Sequence, residues 1–508
     1  MTNNTQDNKC IAKNTLFLYI RMMLMFIMGF YITRVILKNL GVEDFGTYNA
    51  VAAFVAMLGF LNTAMSNGIQ RFINFEFGKN NIQKAVKYIS NSITVQLCIC
   101  GALLLIFETI GIWFVENKMI FAEDDILPAR IVFHLSVATL VLNMVSATFN
   151  AIIIAKERMD FYAYISIFEV VAQLGIAHAI SISESNRLII YVSLLLVLNL
   201  ILTISKIIYS KKILPELSIK PSFDKDIFKE LLSFSGWNLF GSASGTIKSQ
   251  GINILMNIFF GVTINAARGI AFQVLSGVQK FTSNFQLAIN PQIVQSFSSN
   301  NRERYLSLTY TSAKISFYLM WIITLPVLFS INTILHVWLG DNIPECTSIF
   351  VILILLTGLI DSLGSSISIS FYATGNIKKY QIIVSSITIM VLPISYILYR
   401  HGMEPATSMY VSLFLSVIAQ IARVIIWCNT INESTSIYFK KIVVPIVIIM
   451  ILSTSFMFLL NYIVSANDII MLCINTILSI FINVICIYMI ALDKNERNFI
   501  SKHIKFKL

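Results

Sequence analysis

A few charged side chains lie inside long apolar runs of the sequence, where they could bind an ion or a charged group. Lys248 and Lys280 lie deepest, about 21 and 15 Å from the predicted cytoplasmic ends of their helices at 1.5 Å per helical residue. A charge at the centre of a bilayer costs about 2.5 to 3.5 kcal/mol, so such residues are functional candidates. Arg21 lies at a shallower depth, whereas Arg34 and Arg423 lie near run ends and are expected to extend to the membrane surface. We therefore expect Arg21, Lys248 and Lys280 to contact a negatively charged substrate.

Lys280 belongs to a polar stripe with helical spacing. Successive members of the stripe, which are Gln273, Gly277, Lys280, Asn284 and Ala288, are three or four residues apart and so share one helix face. Such a face can line a water-filled lumen, or it can form hydrogen bonds with neighbouring helices. The sequence leaves both alternatives open. We expect Gln273 and Asn284 to contribute to the same cavity as Lys280.

Two acidic residues, Glu169 and Asp361, lie centrally in apolar runs. Each could bind a coupling proton or Na⁺, and each could instead neutralise one of the buried cations. The sequence does not separate these roles. We predict no cofactor other than a coupling proton or Na⁺.

Signatures of catalysis are missing from the sequence: it contains no HExxH, no GxSxG and no Walker loop ending in GKS or GKT. The seven cysteines form no CxxC pair, so we predict no metal site. We therefore predict a protein that is not an enzyme. Without an ATP site, transport would depend on an ion gradient or on the gradient of the substrate itself.

Apolar runs follow one another along the whole chain. Apolar residues make up 56% of the sequence and charged residues only 12%, whereas ordinary globular chains contain about 25% charged residues. We count about fourteen runs of roughly 20 to 25 residues, each long enough to cross the hydrocarbon core as a helix. The predicted fold class is an all-α polytopic membrane protein.

The distribution of basic residues predicts the orientation of the chain. If the turns alternate between the two sides, most of the 37 Lys and Arg residues fall on the side of the two termini. Lys206 is counted on that side and Arg268 on the opposite side. The positive-inside bias then places both termini in the cytoplasm. The net charge of +11 reflects this bias, and we predict no nucleic-acid partner.

A polar stretch from Ser210 to Lys229 divides the runs into six and eight. A shift of about 220 residues aligns Gly41-Val42 with Gly261-Val262, and residues 155–162 with 373–380. We therefore predict two six-helix bundles that form a parallel repeat around a cavity with alternating access. The predicted parts are an N-terminal bundle (1–209), a cytoplasmic linker (210–232), a second bundle (233–430), helices 13 and 14 (431–492) and a basic cytoplasmic tail (493–508).

The first 80 residues contain a more specific pattern. It comprises Leu40-Gly41-Val42-Glu43-Asp44-Phe45-Gly46-Thr47-Tyr48-Asn49, Gln70-Arg71-Phe72 and Phe77-Gly78-Lys79. This pattern resembles the amino terminus of the Wzx-type polysaccharide transporters, the O-antigen flippases of the MOP superfamily. That superfamily also includes the MATE exporters and the lipid II flippases. The arrangement of six, six and two helices is similar to theirs over the whole chain.

The resemblance implies a multi-pass protein of the bacterial inner membrane that flips an undecaprenyl-diphosphate-linked oligosaccharide to the periplasmic leaflet. The glycan would be O-antigen, capsule or a similar surface polysaccharide unit. Cationic cavity residues would hold the diphosphate while the lipid tail stays among the membrane lipids. Proteins of polysaccharide assembly are further candidate partners.

Two other classes of membrane protein remain as alternatives. A MATE-like cation-coupled multidrug exporter would favour an acidic, aromatic-lined lumen, whereas buried cations outnumber buried anions in this sequence. A membrane polymerase or ligase would be expected to present a large external loop with acceptor-binding Arg and His residues. The predicted external turns are short.

Overall fold

The computed structural model describes residues 2–41, 44, 47–48, 51–52, 54–55, 59–118, 126–182, 186–217, 220–340, 343–464 and 468–491. Within these ranges the chain forms helices and turns and no strand, so the predicted all-α fold class is confirmed. The predicted tail at 493–508 and most of the pattern at 42–49 lie outside the described residues.

The helices follow one another with short connections. In chain order they are α1 (Thr2–Leu40), α2 (Gly59–Gly78), α3 (Ile82–Ile106), α4 (Ile126–Ala155), α5 (Met159–Ala179), α6 (Arg187–Ile213), α7 (Lys225–Ser298), α8 (Arg302–Leu339), α9 (Thr347–Thr374), α10 (Lys378–Arg400), α11 (Thr407–Ile431), α12 (Thr435–Ile463) and α13 (Asp468–Cys486). Beyond α3, a π-helical turn at Phe107–Gly111 leads into a short helix at Ile112–Lys118.

Ten helices within the described ranges are long and apolar enough to cross a membrane, so this is a multi-pass membrane protein. Large apolar side chains remain exposed on them, including Leu105 at 70% and Phe414 at 66%. Lipid can solvate such side chains, whereas water would not. The count of fourteen spans stays a prediction. The other predicted spans fall on α1, α2 and α7, and the Ser, Asn and Lys residues of α7 lower its hydropathy.

Helix α7 contains the boundary that we predict between the seventh and eighth spans. At Gly261 the backbone has φ 78° and ψ −171°, a conformation that side chains with a Cβ atom strongly disfavour. The helical path therefore breaks at a glycine rather than at a polar loop. Lys248 precedes this break, and Arg268 follows it.

The chain divides into two compact units. Unit 1 comprises Met1–Ala243 and Leu287–Asn301, and unit 2 comprises Ser244–Gln286 and Arg302–Leu508. In unit 1, α4 packs against α2 and α6, and α1 packs against α5. In unit 2, α9 packs against α8 and α11, and α13 packs against α8. Helix α7 thus contributes its ends to unit 1 and its middle to unit 2, while the domain boundaries drawn from the sequence stay predictions.

The backbone repeats at an offset of about 220 residues. Left-handed residues recur in pairs, which are Gly41 with Gly261, Asn80 with Asn300, and Glu157 with Gly375. The turns that follow α2 and α7 also share their hydrogen bonds. Asn80 N donates to Phe77 O at 3.0 Å, and Asn300 N donates to Phe297 O at 3.1 Å. The parallel repeat therefore has a counterpart in the conformation of the turns.

Candidate functional site

Unit 2 brings together four charged residues, which we call the cation cluster: Lys248, Arg268, Asp361 and Arg423. They come from three helices, since Lys248 and Arg268 lie on either side of the break in α7, Asp361 on α9 and Arg423 on α11. Asp361 lies at the middle of α9, the depth at which a charge is least favourable in lipid. The cluster contains three cations and one carboxylate.

Arg423 does not extend along α11 towards the membrane surface, so the expectation that it does is wrong. Its Nη1 donates to Gln420 Oε1 at 3.0 Å, and its guanidinium lies directly on the backbone of α9 at Gly364. A Cβ atom at Gly364 would overlap the guanidinium. A glycine at this position therefore allows the guanidinium to approach, and Asp361 lies one turn away on the same helix.

Lys248 is half-buried and interacts through charge with Asp361, Arg268 and Arg423. Within the described part of the chain no direct ion pair joins its ammonium to the carboxylate of Asp361. The carboxylate of Asp361 is thus shared electrostatically by Lys248 and Arg423. Such a site can accept a further anion, because charge-assisted hydrogen bonds grow stronger where water is scarce.

Arg268 is the member of the cluster that sequence counting placed in an external turn. Only 2% of its surface is exposed. Its Nη2 donates to Ser249 O at 3.0 Å, its Nη1 donates to Asn253 Oδ1, and its guanidinium carbon lies 4.3 Å from the centre of the Phe272 ring. The sequence position of Arg268 could have revealed that it lies inside a helix, because it follows Gly261 by seven residues, and seven helical residues correspond to about 10 Å.

Unit 1 contains a second group, which we call the acid cluster: Glu169, Arg21 and Lys206. Glu169 lies at the middle of α5 and interacts through charge with both cations. Lys206 Nζ donates to Ser146 Oγ at 3.1 Å, and the Arg21 guanidinium carbon lies 4.8 Å from the centre of the Tyr162 ring. The sequence count placed Lys206 in a cytoplasmic segment, whereas its side chain reaches the neighbouring helices.

The polar stripe on α7 has a mixed environment. Gln273 and Lys280 are exposed, whereas Asn284 is buried and its Nδ2 donates to Lys280 O at 2.9 Å. The Asn284 amide is therefore bonded partly within its own helix. Whether this face lines a lumen stays a prediction.

The described residues contain no group of three or more His, Cys, Asp or Glu side chains placed to hold a metal ion. The charged side chains of the two clusters can form ionic contacts and hydrogen bonds. Guanidinium and ammonium groups can bind an anion there, and the carboxylates can exchange a proton or a cation.

A family of polysaccharide biosynthesis proteins matches residues 11–295, which is more than half of the chain. No curated protein sequence matches this chain.

Several solved structures share the fold. One is a multidrug resistance MATE family transporter of the MOP superfamily in an outward-facing conformation (TM-score 0.71, 11% identity, covering 84% of this chain and 96% of that chain). Another is a MOP superfamily transporter from Pyrococcus furiosus (TM-score 0.69, 12% identity, 83% and 96%). A third is MATE in the bent conformation (TM-score 0.69, 14% identity, 85% and 96%). The chain therefore has the fold of MATE and MOP transporters, and it belongs to the polysaccharide biosynthesis protein family.

Proposed function

We propose that this protein is a flippase that moves an undecaprenyl-diphosphate-linked oligosaccharide from the cytoplasmic to the periplasmic leaflet of the bacterial inner membrane. The observation that carries this proposal is the cation cluster of unit 2, in which Lys248 and Arg423 share the carboxylate of Asp361 and Arg268 adds a third positive charge beside Lys248. A passenger with an anionic diphosphate suits such a site. The family match to polysaccharide biosynthesis proteins supports a glycan as the rest of the passenger.

The cationic residues would hold the diphosphate by charge-assisted hydrogen bonds. We assign this role to Lys248 and Arg423 in the cation cluster, with Arg21, Lys280, Gln273 and Asn284 as further contacts. Arg268 already donates to Ser249 and Asn253, so we assign it to positioning the two halves of α7. The lipid tail stays in the bilayer, no covalent bond is made or broken, and the cavity opens to one side at a time.

Glu169 and Asp361 are the candidates for energy coupling. Each is a central carboxylate beside two or more cations, so protonation or Na⁺ binding would change how strongly those cations attract the diphosphate. Such coupling would let an ion gradient drive release. In this proposal both termini are cytoplasmic, and proteins of polysaccharide assembly supply and remove the passenger.

A MATE-like multidrug exporter is the alternative that shares this fold. A cationic drug would be repelled by the surplus of positive charge at the cation cluster. The Pyrococcus furiosus transporter is described as having a binding pocket of reverse polarity that suggests a different function. For this chain, the surplus of positive charge at the cation cluster is the property that favours the flippase over the exporter.

Reconstitution tests the proposal. The purified protein is placed in vesicles whose inner leaflet holds a lipid-linked oligosaccharide, and a membrane-impermeant glycan-cleaving reagent is added outside. We expect the protein to make the inner pool accessible, whereas vesicles without protein keep it protected. A protein that leaves the glycolipid protected but exports a cationic dye would support the exporter instead.

A further inference from the structure

The segment that connects α6 to α7 is held by hydrogen bonds to α3, within unit 1. Thr94 Oγ1 donates to Ser222 O at 2.7 Å, and Asn91 Nδ2 donates to Ser222 Oγ at 3.2 Å. Asn91 Oδ1 accepts from Asp224 N at 2.7 Å. Asn91 is only 1% exposed, so a buried amide of α3 is committed to the connecting segment. We call Asn91, Thr94, Ser222 and Asp224 the linker dock.

The length of α3 indicates the depth of the linker dock in the membrane. Helix α3 and its continuation run from Ile82 to Asn117, which is 36 residues or about 54 Å. The hydrocarbon core is only about 30 Å thick. If the excess is divided equally between the two sides, the hydrocarbon begins about eight residues after Ile82, beside Asn91. The linker dock then lies where headgroups meet acyl chains, in the leaflet that the positive-inside bias makes cytoplasmic.

An exposed aromatic residue lies at this level. Phe223 directly follows Ser222 of the linker dock, and 67% of its surface is exposed. Its ring centre lies 5.1 Å from that of Phe228 in the first turn of α7. Phenylalanine is one of the residues that insert at the boundary between headgroups and acyl chains. Acyl chains would therefore cover the Phe223 ring, whereas water would leave its apolar surface unfavourably exposed.

Exposed lysines accompany this ring. Lys220 and Lys225 lie on either side of it in sequence, and Lys87 lies one helical turn before the first dock residue of α3. In the part of the chain that the structure describes, no carboxylate forms a salt bridge with any of these three lysines. Asp224 and Asp226 lie at the start of α7, where the helix dipole favours negative charge, and Asp224 Oδ1 accepts from two backbone N–H groups there. The three ammonium groups thus remain available to an anion from the membrane.

We propose that the linker dock and the lysines beside it bind an anionic phospholipid of the cytoplasmic leaflet. The ammonium groups of Lys87, Lys220 and Lys225 hold the headgroup phosphate, and the Phe223 ring contacts the acyl chains. This lipid is not the passenger, because the site lies in unit 1 and the cation cluster in unit 2. The bound lipid fastens the connecting segment to the membrane surface, and this role does not depend on which substrate the protein moves.

Photocross-linking tests the site. The protein is reconstituted in vesicles that contain phosphatidylglycerol with a diazirine in its acyl chain close to the glycerol, and labelled peptides are identified by mass spectrometry. We expect at least fivefold more labelling of residues 220–229 than with the same diazirine on phosphatidylcholine. Lys220→Gln combined with Lys225→Gln should remove most of this difference. Lys211→Gln combined with Lys212→Gln, which changes two exposed lysines in the last turn of α6, should retain it. Equal labelling by the two lipids, or equal loss in the two double variants, would overturn the proposal.

A change without charge tests the linker dock itself. Thr94→Val is nearly isosteric and removes the hydrogen bond to Ser222 O, so we expect at least threefold less labelling of residues 220–229 by the phosphatidylglycerol probe. Thr139→Val on α4 is the matched control, because the Thr139 hydroxyl donates to Leu135 O of its own helix. Unchanged labelling in Thr94→Val would overturn the role of the linker dock.

Inorganic phosphate separates a lipid from a free anion at the same lysines. We expect excess phosphate, at constant ionic strength, to leave the labelling by the phosphatidylglycerol probe unchanged, because the acyl chains add contacts that phosphate lacks. Displacement of the probe by phosphate would identify a site for free anions and would overturn the lipid assignment.

Discussion

At the scale of residues, the account depends on charges that the membrane makes expensive. A cation at the bilayer centre costs about 2.5 to 3.5 kcal/mol on insertion scales, and in the cation cluster only Asp361 is shared by Lys248 and Arg423. Asp361 offsets part of this cost, and a bound diphosphate would offset more. We therefore propose that the cluster is more stable in the membrane with an anion bound than without one.

Removing one cation from the cluster tests its role. We expect Lys248→Ala to slow flipping about tenfold, which corresponds to about 1.4 kcal/mol, because one charge-assisted contact to the phosphate is lost. Lys280→Ala should act in the same direction if its face lines the lumen. Lys211→Ala serves as the control, since Lys211 is exposed in the last turn of α6. The measurement is the amount of surface polysaccharide at matched protein expression. Normal amounts in both Lys248→Ala and Lys280→Ala would contradict the assignment of these lysines to the diphosphate.

The acid cluster carries the prediction about coupling. We expect Glu169→Gln to reduce transport and to make the residual activity insensitive to collapse of the proton and Na⁺ gradients, because the carboxylate can no longer exchange its cation. Lys206→Met should also reduce transport, since Lys206 interacts through charge with Glu169. Flipping rates measured with and without ionophores decide the matter. Wild-type transport that ignores both gradients would remove the coupling role from Glu169 and Asp361.

At the scale of elements, the close approach of α9 and α11 at Gly364 determines where the Arg423 guanidinium lies. Gly364→Ala adds a Cβ atom where the Arg423 guanidinium lies, so we expect the guanidinium to be displaced and flipping to fall several-fold. Gly269→Ala on α7 is the matched control, because a Cβ atom there meets nothing within 4 Å. Glycolipid flipping in vesicles provides the readout. Equal rates for the two variants would show that the position of Arg423 does not matter.

Within unit 2, amide hydrogen bonds join α12 to α13 and α13 to α8. Asn475 is 1% exposed, its Nδ2 donates to Ser330 Oγ at 3.0 Å, and its Oδ1 accepts from Asn461 Nδ2 at 3.1 Å. Interhelical hydrogen bonds in membranes contribute about 0.6 kcal/mol on average and up to about 1.7 kcal/mol. We expect Asn475→Leu to lower the Tm of the purified protein by a few degrees, whereas Cys473→Leu on the exposed face of the same helix should not. Equal Tm values would contradict this anchoring role.

Helix existence could be predicted from the sequence, because lipid leaves the backbone no alternative to internal hydrogen bonds. The direction in which each side chain points could not be predicted in the same way. Counting residues from a helix end gives depth but not orientation, and for this reason Arg423, Lys206 and Arg268 were assigned to the wrong surroundings. Close approach at Gly364 is equally invisible in the sequence, since it depends on which helices become neighbours.

At the scale of the whole molecule, the alternation of apolar runs and the repeat at about 220 residues were enough to predict an all-α transporter fold. The sequence did not predict that the ends of α7 pack within unit 1 while its middle belongs to unit 2. That division depends on contacts between residues more than a hundred positions apart, such as Gln295 with Ala155.

The most direct test of the central claim is mass spectrometry of lipid extracts from cells that lack this gene but retain the later steps of glycan assembly. We predict that a completed oligosaccharide on undecaprenyl diphosphate accumulates, and that the wild-type gene reverses the accumulation while Lys248→Ala reverses it poorly. The mass of the accumulated lipid would also identify the sugar unit. No accumulation and unchanged surface glycan, in cells without a redundant flippase, would contradict the account.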